Sequence, residues 1–349
     1  MKKALKVLVY IISAIFIFAL AFIAYLSITE YRPKAIEPLE IEGESLDALK
    51  FGEELDVLIW NIGYAGLGKN ADFFMDGGES VTSSDLTTVV ANLEAISDTI
   101  SALNPDIAMY QEVDINSSRT YGIDQRWALS FGQSSHALNY ACDFVPFPMP
   151  PIGKVNSGVM TSSVYSIDSA ERHALPCPFS WPVSAANLKR CLLVSYLPIE
   201  GSDKQLVMIN LHLEAYDDGE GKAAQTAQLK DLIQKEYEKG NYVIAGGDFN
   251  QSFPNALEFY PNTHPELWTP GILDDNSVPQ GWNFAYDLTQ PSCRLLNQPY
   301  DSSDMENTQH YVIDGFILSP NVELINVETY NMNFEYSDHN PVCLKVILN

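Results

Sequence analysis

Between residues 55 and 348 the chain is built from short apolar runs, each abutting or enclosing a polar group. Leu55-Asp56-Val57-Leu58-Ile59-Trp60 closes on Asn61, and Ile107-Ala108-Met109-Tyr110-Gln111 closes on Glu112. Val207-Met208-Ile209-Asn210-Leu211 reaches His212, and Tyr242-Val243-Ile244-Ala245-Gly246-Gly247 leads into Asp248-Phe249-Asn250. Asp314 lies in Tyr311-Val312-Ile313-Asp314-Gly315-Phe316-Ile317-Leu318, and Ser337-Asp338-His339 stands just ahead of the apolar stretch 342–348. Apolar runs of this length, bounded by turn residues, are strands. Polar groups at strand ends gather at one edge when the strands share a sheet. The first and last of them must meet for a site to form, so residues 54–349 read as one domain and not two.

Helical spacing interrupts the strands twice. Leu86, Val89, Val90, Leu93, Ile96, Ile100 and Leu103 recur with helical period, and Asn104-Pro105 ends them. A second helix is expected over residues 221–239, with Ala224, Ala227, Leu229, Leu232 and Ile233 inward and Gly240 as its stop. Two mostly antiparallel sheets packed face to face, with helices outside, fit this alternation. The predicted fold is therefore α/β, a four-layer α/β/β/α sandwich preceded by one N-terminal transmembrane helix.

Asp338 followed directly by His339 in a tight turn places a carboxylate and an imidazole at one strand mouth. That pair suits acid/base work on a phosphate held by a metal. The full order of polar motifs resembles the endonuclease/exonuclease/phosphatase superfamily, whose members include pancreatic-type deoxyribonucleases, AP endonucleases, bacterial sphingomyelinases and inositol-polyphosphate phosphatases. The resemblance runs over roughly residues 55–348, and Gln111-Glu112, Gly247-Asp248-Phe249-Asn250 and Ser337-Asp338-His339 are its specific part. It implies a metal-dependent phosphoesterase with Glu112 as principal Mg²⁺ ligand and Asn61 and Asp338 close to the metal. Mn²⁺ and Ca²⁺ stay open as alternatives. It further implies that Asp248 and Asn250 orient or activate the attacking water and that Asn61, Asn250 and His339 contact the phosphate. Asp314 would partner His339, and His212 matches a second histidine of the deoxyribonuclease and sphingomyelinase branches. Asn156 stands where AP endonucleases carry an aromatic, and those enzymes lack a counterpart of His212. Both departures argue against abasic-site repair. Arg190 reads equally as a phosphate contact and as a strand-edge charge.

Mg²⁺ prefers oxygen ligands and keeps several waters, so one or two carboxylates with substrate phosphate suffice. The chain shows no zinc-spaced cysteines, nucleotide fingerprint or glycine-rich phosphate loop. Its five cysteines are too few and scattered for a disulfide framework; one or two bridges stay open, and the odd count leaves at least one thiol.

Lys2, Lys3 and Lys6 precede residues 7–29, an uncharged apolar segment. At ~1.5 Å per residue its ~35 Å length crosses a bilayer core, and no small-residue cleavage site follows. It is expected to be an uncleaved signal-anchor, with residues 1–6 cytoplasmic and the catalytic domain extracytoplasmic. Residues 30–53, with Pro33, Pro38, Gly43 and many carboxylates, read as an acidic stalk. Residues 1–34 hold five of the 20 Lys and Arg and one of the 45 Asp and Glu, which leaves −29 on the remainder. Such charge disfavours nucleic acid as a partner without excluding a local positive cleft. The expected partners are a phosphoester substrate, with a lipid head group or small phosphoester ahead of nucleic acid, and the membrane. The chain is expected to be a monomer. A membrane-tethered nuclease and a catalytically silent binding module on the same fold are the alternatives.

Overall fold

The computed structural model describes residues 2–82, 84–217, 219–304 and 308–349. It opens with α1 (Lys2–Thr29), a helix long and apolar enough to cross a membrane. β1 (Ile36–Pro38) follows, and then the sandwich begins with β2 (Glu54–Asn61).

The first sheet combines β2 with β3 (Ile107–Asp114), β4 (Gln133–Val145) and β5 (Gly153–Ser163). The second draws on β1, β6 (Ser169–Ala174), β7 (Cys191–Pro198), β8 (Gln205–His212), β9 (Tyr242–Asp248), β10 (Asn283–Ala285) and β11 (Asp314–Leu318). β12 (Val322–Thr329) and β13 (Val342–Leu348) return to the first sheet. The six-stranded order is β12-β13-β2-β3-β5-β4 and the seven-stranded order is β1-β6-β7-β8-β9-β11-β10. Each sheet has one parallel pair, β2 with β3 and β8 with β9. A parallel pair needs a crossover, supplied by α2 (Leu86–Leu103) in the first sheet and α3 (Glu220–Glu238) in the second.

Strand alternation divides the apolar residues between layers. Leu55, Val57 and Ile59 of β2 meet Leu193, Met208, Ile244 and Phe316 between the sheets. Leu58 and Trp60, on the other face, pack under Val89, Leu93, Ile96 and Ile100 of α2. Leu192, Val194, Val207, Ile209 and Leu211 meet Leu229 and Ile233 of α3. The α/β/β/α sandwich is thus the observed architecture.

Two details differ from the sequence expectation, and a third concerns a question it left open. Ala224 and Ala227 are exposed; α3 instead buries Gln225, Leu229, Ile233 and Glu236, spaced by four, four and three. Its polar buried positions are satisfied: Gln225 accepts from the Glu214 N–H and Glu236 accepts from Asn241. All five cysteines are free thiols. The segment read as a stalk is instead a strap laid along the domain. β1 pairs with β6, Glu42 bridges Ser134, and the Leu49 N–H donates to Pro198 O at 3.0 Å. The proline and glycine breaks that suggested a linker only limit the strap to short pairings. With Leu49 buried and Leu39 and Ile41 packed on the intersheet core, detachment would strand apolar surface.

Candidate active site

The sandwich brings the strand-end polar groups to one edge. His212, Asp248 and Asp314 form a row across the second sheet, because β8 pairs His212 with Asp248 and β11 pairs Asp314 with Asp248. Asn61 ends β2 in the facing sheet, alongside Gln111 of β3. The turn before β13 supplies Asp338 and His339 and is pinned from below: Ser337 Oγ donates to Asn61 O at 2.7 Å, and Trp60 Nε1 donates to His339 O at 2.9 Å.

Glu112 reaches the site through a fault in β3. Tyr110 pairs with Met160 and Val113 with Gly158, so β3 spends one residue more than β5 across this interval. The extra residue bulges, and Glu112 takes φ +57°, the left-handed region. A bulge bends the strand and re-aims a side chain. Here Glu112 Oε1 comes 3.2 Å from Asn61 Nδ2.

Asn61 is the central amide. Its Nδ2 also donates to Asp248 Oδ2 at 3.0 Å, while its Oδ1 accepts from the Gly63 N–H at 3.0 Å. Expected among the metal ligands, Asn61 thus spends its oxygen on the backbone and offers N–H donors to two carboxylates. Asn250, at φ +50°, donates through Nδ2 to Leu213 O, and its own N–H caps Asp248 Oδ1.

His339 Nδ1 and Asp314 Oδ2 are 2.8 Å apart, and Asp314 Oδ2 also accepts from Ser292 Oγ at 2.7 Å. Burial works against charge on the imidazole, yet the Asp314, Asp338 and Asp248 carboxylates outweigh it and hold His339 well above the usual histidine range. His212 is shifted the other way: burial, followed by Arg190 and His339, keeps it neutral. Its Nε2 is 3.4 Å from Asp248 Oδ2. Burial raises Asp248 above the ordinary carboxylate range. Asp338 is raised likewise, by burial and, against the lowering effect of His339, by the neighbouring Glu112 charge. A carboxylate raised by burial and by a second carboxylate beside it, with amide donors around the two, makes a hard-oxygen site of the kind a small divalent cation relieves. Among the described residues, ligand atoms of Asp248, Asp314 and His339 also lie within 4.8 Å of one another, a second grouping that could hold a metal ion, in which His339 Nδ1 and Asp314 Oδ2 are engaged with each other.

A sequence profile described as the Endonuclease/Exonuclease/phosphatase family matches residues 58–339. The chain belongs to this family. Its members are hydrolases of phosphoester bonds and include metal-dependent phosphoesterases and nucleases. The matched stretch contains every predicted site residue, from Asn61 to His339. Three of the solved structures that share the fold show the likeness. An endonuclease/exonuclease/phosphatase from Beutenbergia cavernae DSM 12333 superposes with TM-score 0.57 at 15% identity, covering 85% of this chain and 72% of its own. A family protein from Leptotrichia buccalis C-1013-b gives 0.52 at 16%, covering 84% and 99%. One from Bacteroides vulgatus gives 0.50 at 15%, covering 85% and 100%. Comparison with curated proteins finds no match.

Several groups beside the family motifs had no clear sequence signal. Asn210 Nδ2 donates to Tyr110 O and Met160 O while its Oδ1 accepts from Gln111, riveting the two sheets beneath the site. Arg119 stacks over Tyr64 at 3.6 Å and forks onto Asp114, and both Arg119 and Tyr64 line the cleft. Arg190, ambiguous in the sequence, lines it too, paired with Glu214 at 3.3 Å. Arg294 is a third cation there, its guanidinium held by the carbonyls of Gly68, Ala71, Leu295 and Gln298.

Proposed function

We propose that the chain is a membrane-anchored phosphodiesterase, dependent on Mg²⁺ or a similar divalent cation, acting outside the cytoplasm on lipid head groups or small phosphoesters. The observation that carries this reading is the convergence of Glu112, Asp248, Asp338 and His339, buried or half-buried, on the floor of one cleft. Glu112 and Asp338 would hold the cation, which when bound neutralises charge on the non-bridging phosphate oxygens. Asn61 fixes the oxygens of Glu112 and Asp248 by donating to both. Asp248, raised by burial and held in place by Asn61 and the Asn250 N–H, is placed to take a proton from an attacking water. His339, kept protonated by Asp314, offers an Nε2–H to a phosphate oxygen or the leaving oxygen. His212, neutral and beside Asp248, orients that carboxylate. The lysines before α1 favour a cytoplasmic N-terminus, and the apolar character of α1 supports the anchor.

The test uses the full chain in detergent, since the helix and strap both pack on the domain. It should hydrolyse bis-p-nitrophenyl phosphate, stop with chelator and recover with Mg²⁺. Glu112→Ala, Asp248→Ala and His339→Ala should each lower the rate by ~10² or more. Undiminished rates in any two of them would remove the site assignment.

A further inference from the structure

An anchor need only tether, yet α1 is built into the catalytic domain. Leu26 is buried among Cys142, Val145, Val155 and Ala185, and Phe22 meets Phe144 edge-on at 6.1 Å. Trp181 Nε1 donates to Ser27 Oγ at 2.9 Å, and Glu30 pairs with Lys189 at 3.0 Å. The cleft that holds Glu112, Asp248 and His339 on its floor has a volume of about 670 Å³, and Phe22, Ile23 and Leu26 of α1 form part of its wall. Phe147, Phe179 and Val183 complete the apolar side.

The position of this wall fixes what it meets. Phe22 lies seven residues before the end of α1 at Thr29, or about 10 Å along a helix. With Thr29 at the outer edge of the head groups, Phe22 falls near the boundary between acyl chains and head groups of the leaflet through which α1 enters the domain. Around the same mouth Phe147 is 69% exposed, Trp181 62% and Val183 58%, and Met149 on the adjoining loop is 77% exposed. Exposed aromatic and apolar side chains of this kind are stable at a bilayer interface and costly in water. A free sugar phosphate has no apolar surface to place against such a wall, and a nucleic acid, whose bases could stack there, meets a chain of net charge −25.

We propose that the groove between α1 and the Phe147 and Val183 loops receives a hydrocarbon chain of the substrate. The substrate is then a membrane lipid phosphoester drawn from the bilayer that anchors the enzyme, with its phosphate on the Glu112–His339 floor. This rests on the phosphoesterase reading above and adds that the N-terminal helix is a substrate-binding element.

The test measures kcat/KM of the full chain, in nanodiscs of a phosphorus-free galactolipid, on n-alkyl p-nitrophenyl phosphates from methyl to dodecyl. Each methylene entering an apolar groove should raise kcat/KM about two- to fourfold, until the groove is full and the rise stops. Ile23→Trp and Val183→Trp, which take up groove space from opposite walls, should each move that plateau to chains at least two carbons shorter. Two substitutions are used so that a fold defect in one leaves the other. A flat chain-length profile with brisk turnover of the methyl ester overturns the groove and leaves the phosphoesterase reading standing. A rise whose plateau moves in neither variant shows that the bilayer, and not the groove, holds the chain, and also overturns it. No turnover of any ester overturns both.

Discussion

At the scale of single residues, the site depends on groups whose charge is set by their neighbours. His339 is charged against its own burial because Asp314 lies behind it, and Asp314 is itself held by Ser292. Asp314→Asn keeps the shape and removes the charge. The imidazole would lose the carboxylate that holds it protonated and oriented, while groups that bind the rest of the substrate stay in place. The expected result is a fall in kcat of roughly 10–100-fold with KM little changed, the pattern of an interaction made in the transition state. A rise in KM at constant kcat would place Asp314 in ground-state binding instead. A second residue carries a stability cost of the opposite sense. His310 stacks on Phe334 at 5.7 Å, its Nε2 lacks a partner among the described residues, and burial followed by Arg294 lowers it to about 4. A lowered histidine is neutral in the fold, while the unfolded chain binds a proton near pH 6.5. Its stabilisation is therefore present above that pH and lost as pH falls toward 4, by roughly 2–3 kcal/mol in all. His310→Phe, which keeps the stack, should show a smaller drop in Tm than the parent between pH 7 and pH 4.5. Equal drops would mean that other groups govern acid sensitivity.

At the scale of elements, the bulge in β3 separates what the sequence could reveal from what it could not. α2 was legible from its apolar period and from Asn104, at φ +47°, with Pro105 at its close; the structure adds Asp85, which caps its start by accepting from the Thr88 N–H. The strand ends at Asn61, His212 and Asp248 were legible because an apolar run must stop where its side chains turn polar. The register that places His212, Asp248 and Asp314 in one row was not, since pairing partners more than 30 residues apart leave no local trace. The strap was misread for a related reason: its pairings with Ser134, Ala170 and Pro198 are all long-range and short. The bulge itself is invisible, as nothing in Tyr110-Gln111-Glu112-Val113 favours a left-handed residue. A non-glycine side chain there stores strain of about 1 kcal/mol. Glu112→Ala and Glu112→Gly should be equally inactive, yet the glycine variant should melt about 2–4 °C higher than the alanine variant. Identical melting points would show that β3 relaxes once the carboxylate is gone, and that Glu112 itself imposes the bulge.

At the scale of the whole molecule, charge and the apolar helix α1 bear together on the substrate proposed above. The chain carries a net −25, and two of the three arginines lining the cleft are already spent: Arg119 pairs with Asp114 at 2.8 Å and Arg190 with Glu214 at 3.3 Å. Affinity for a polyanion comes from many Lys and Arg contacts that release counterions, and it falls steeply with salt. A cleft with so few uncommitted cations, on a strongly negative body, is therefore expected to hold DNA or RNA weakly. On the reading proposed above it needs only enough positive charge for a single phosphate, which His339 would provide beside a metal, while Arg294, its terminal nitrogens held by four backbone carbonyls, adds charge but no free terminal N–H. The full chain in mixed-lipid vesicles should therefore turn over phospholipid or small phosphoesters faster than plasmid DNA at 0.15 M salt. Between 50 and 200 mM salt the lipid rate should change less than twofold, where a protein making six or more phosphate contacts would lose about 10³ in affinity. Efficient plasmid cleavage with every lipid and small phosphoester left intact would reverse the ranking, and would make the three cleft arginines, despite their partners, a nucleic-acid track.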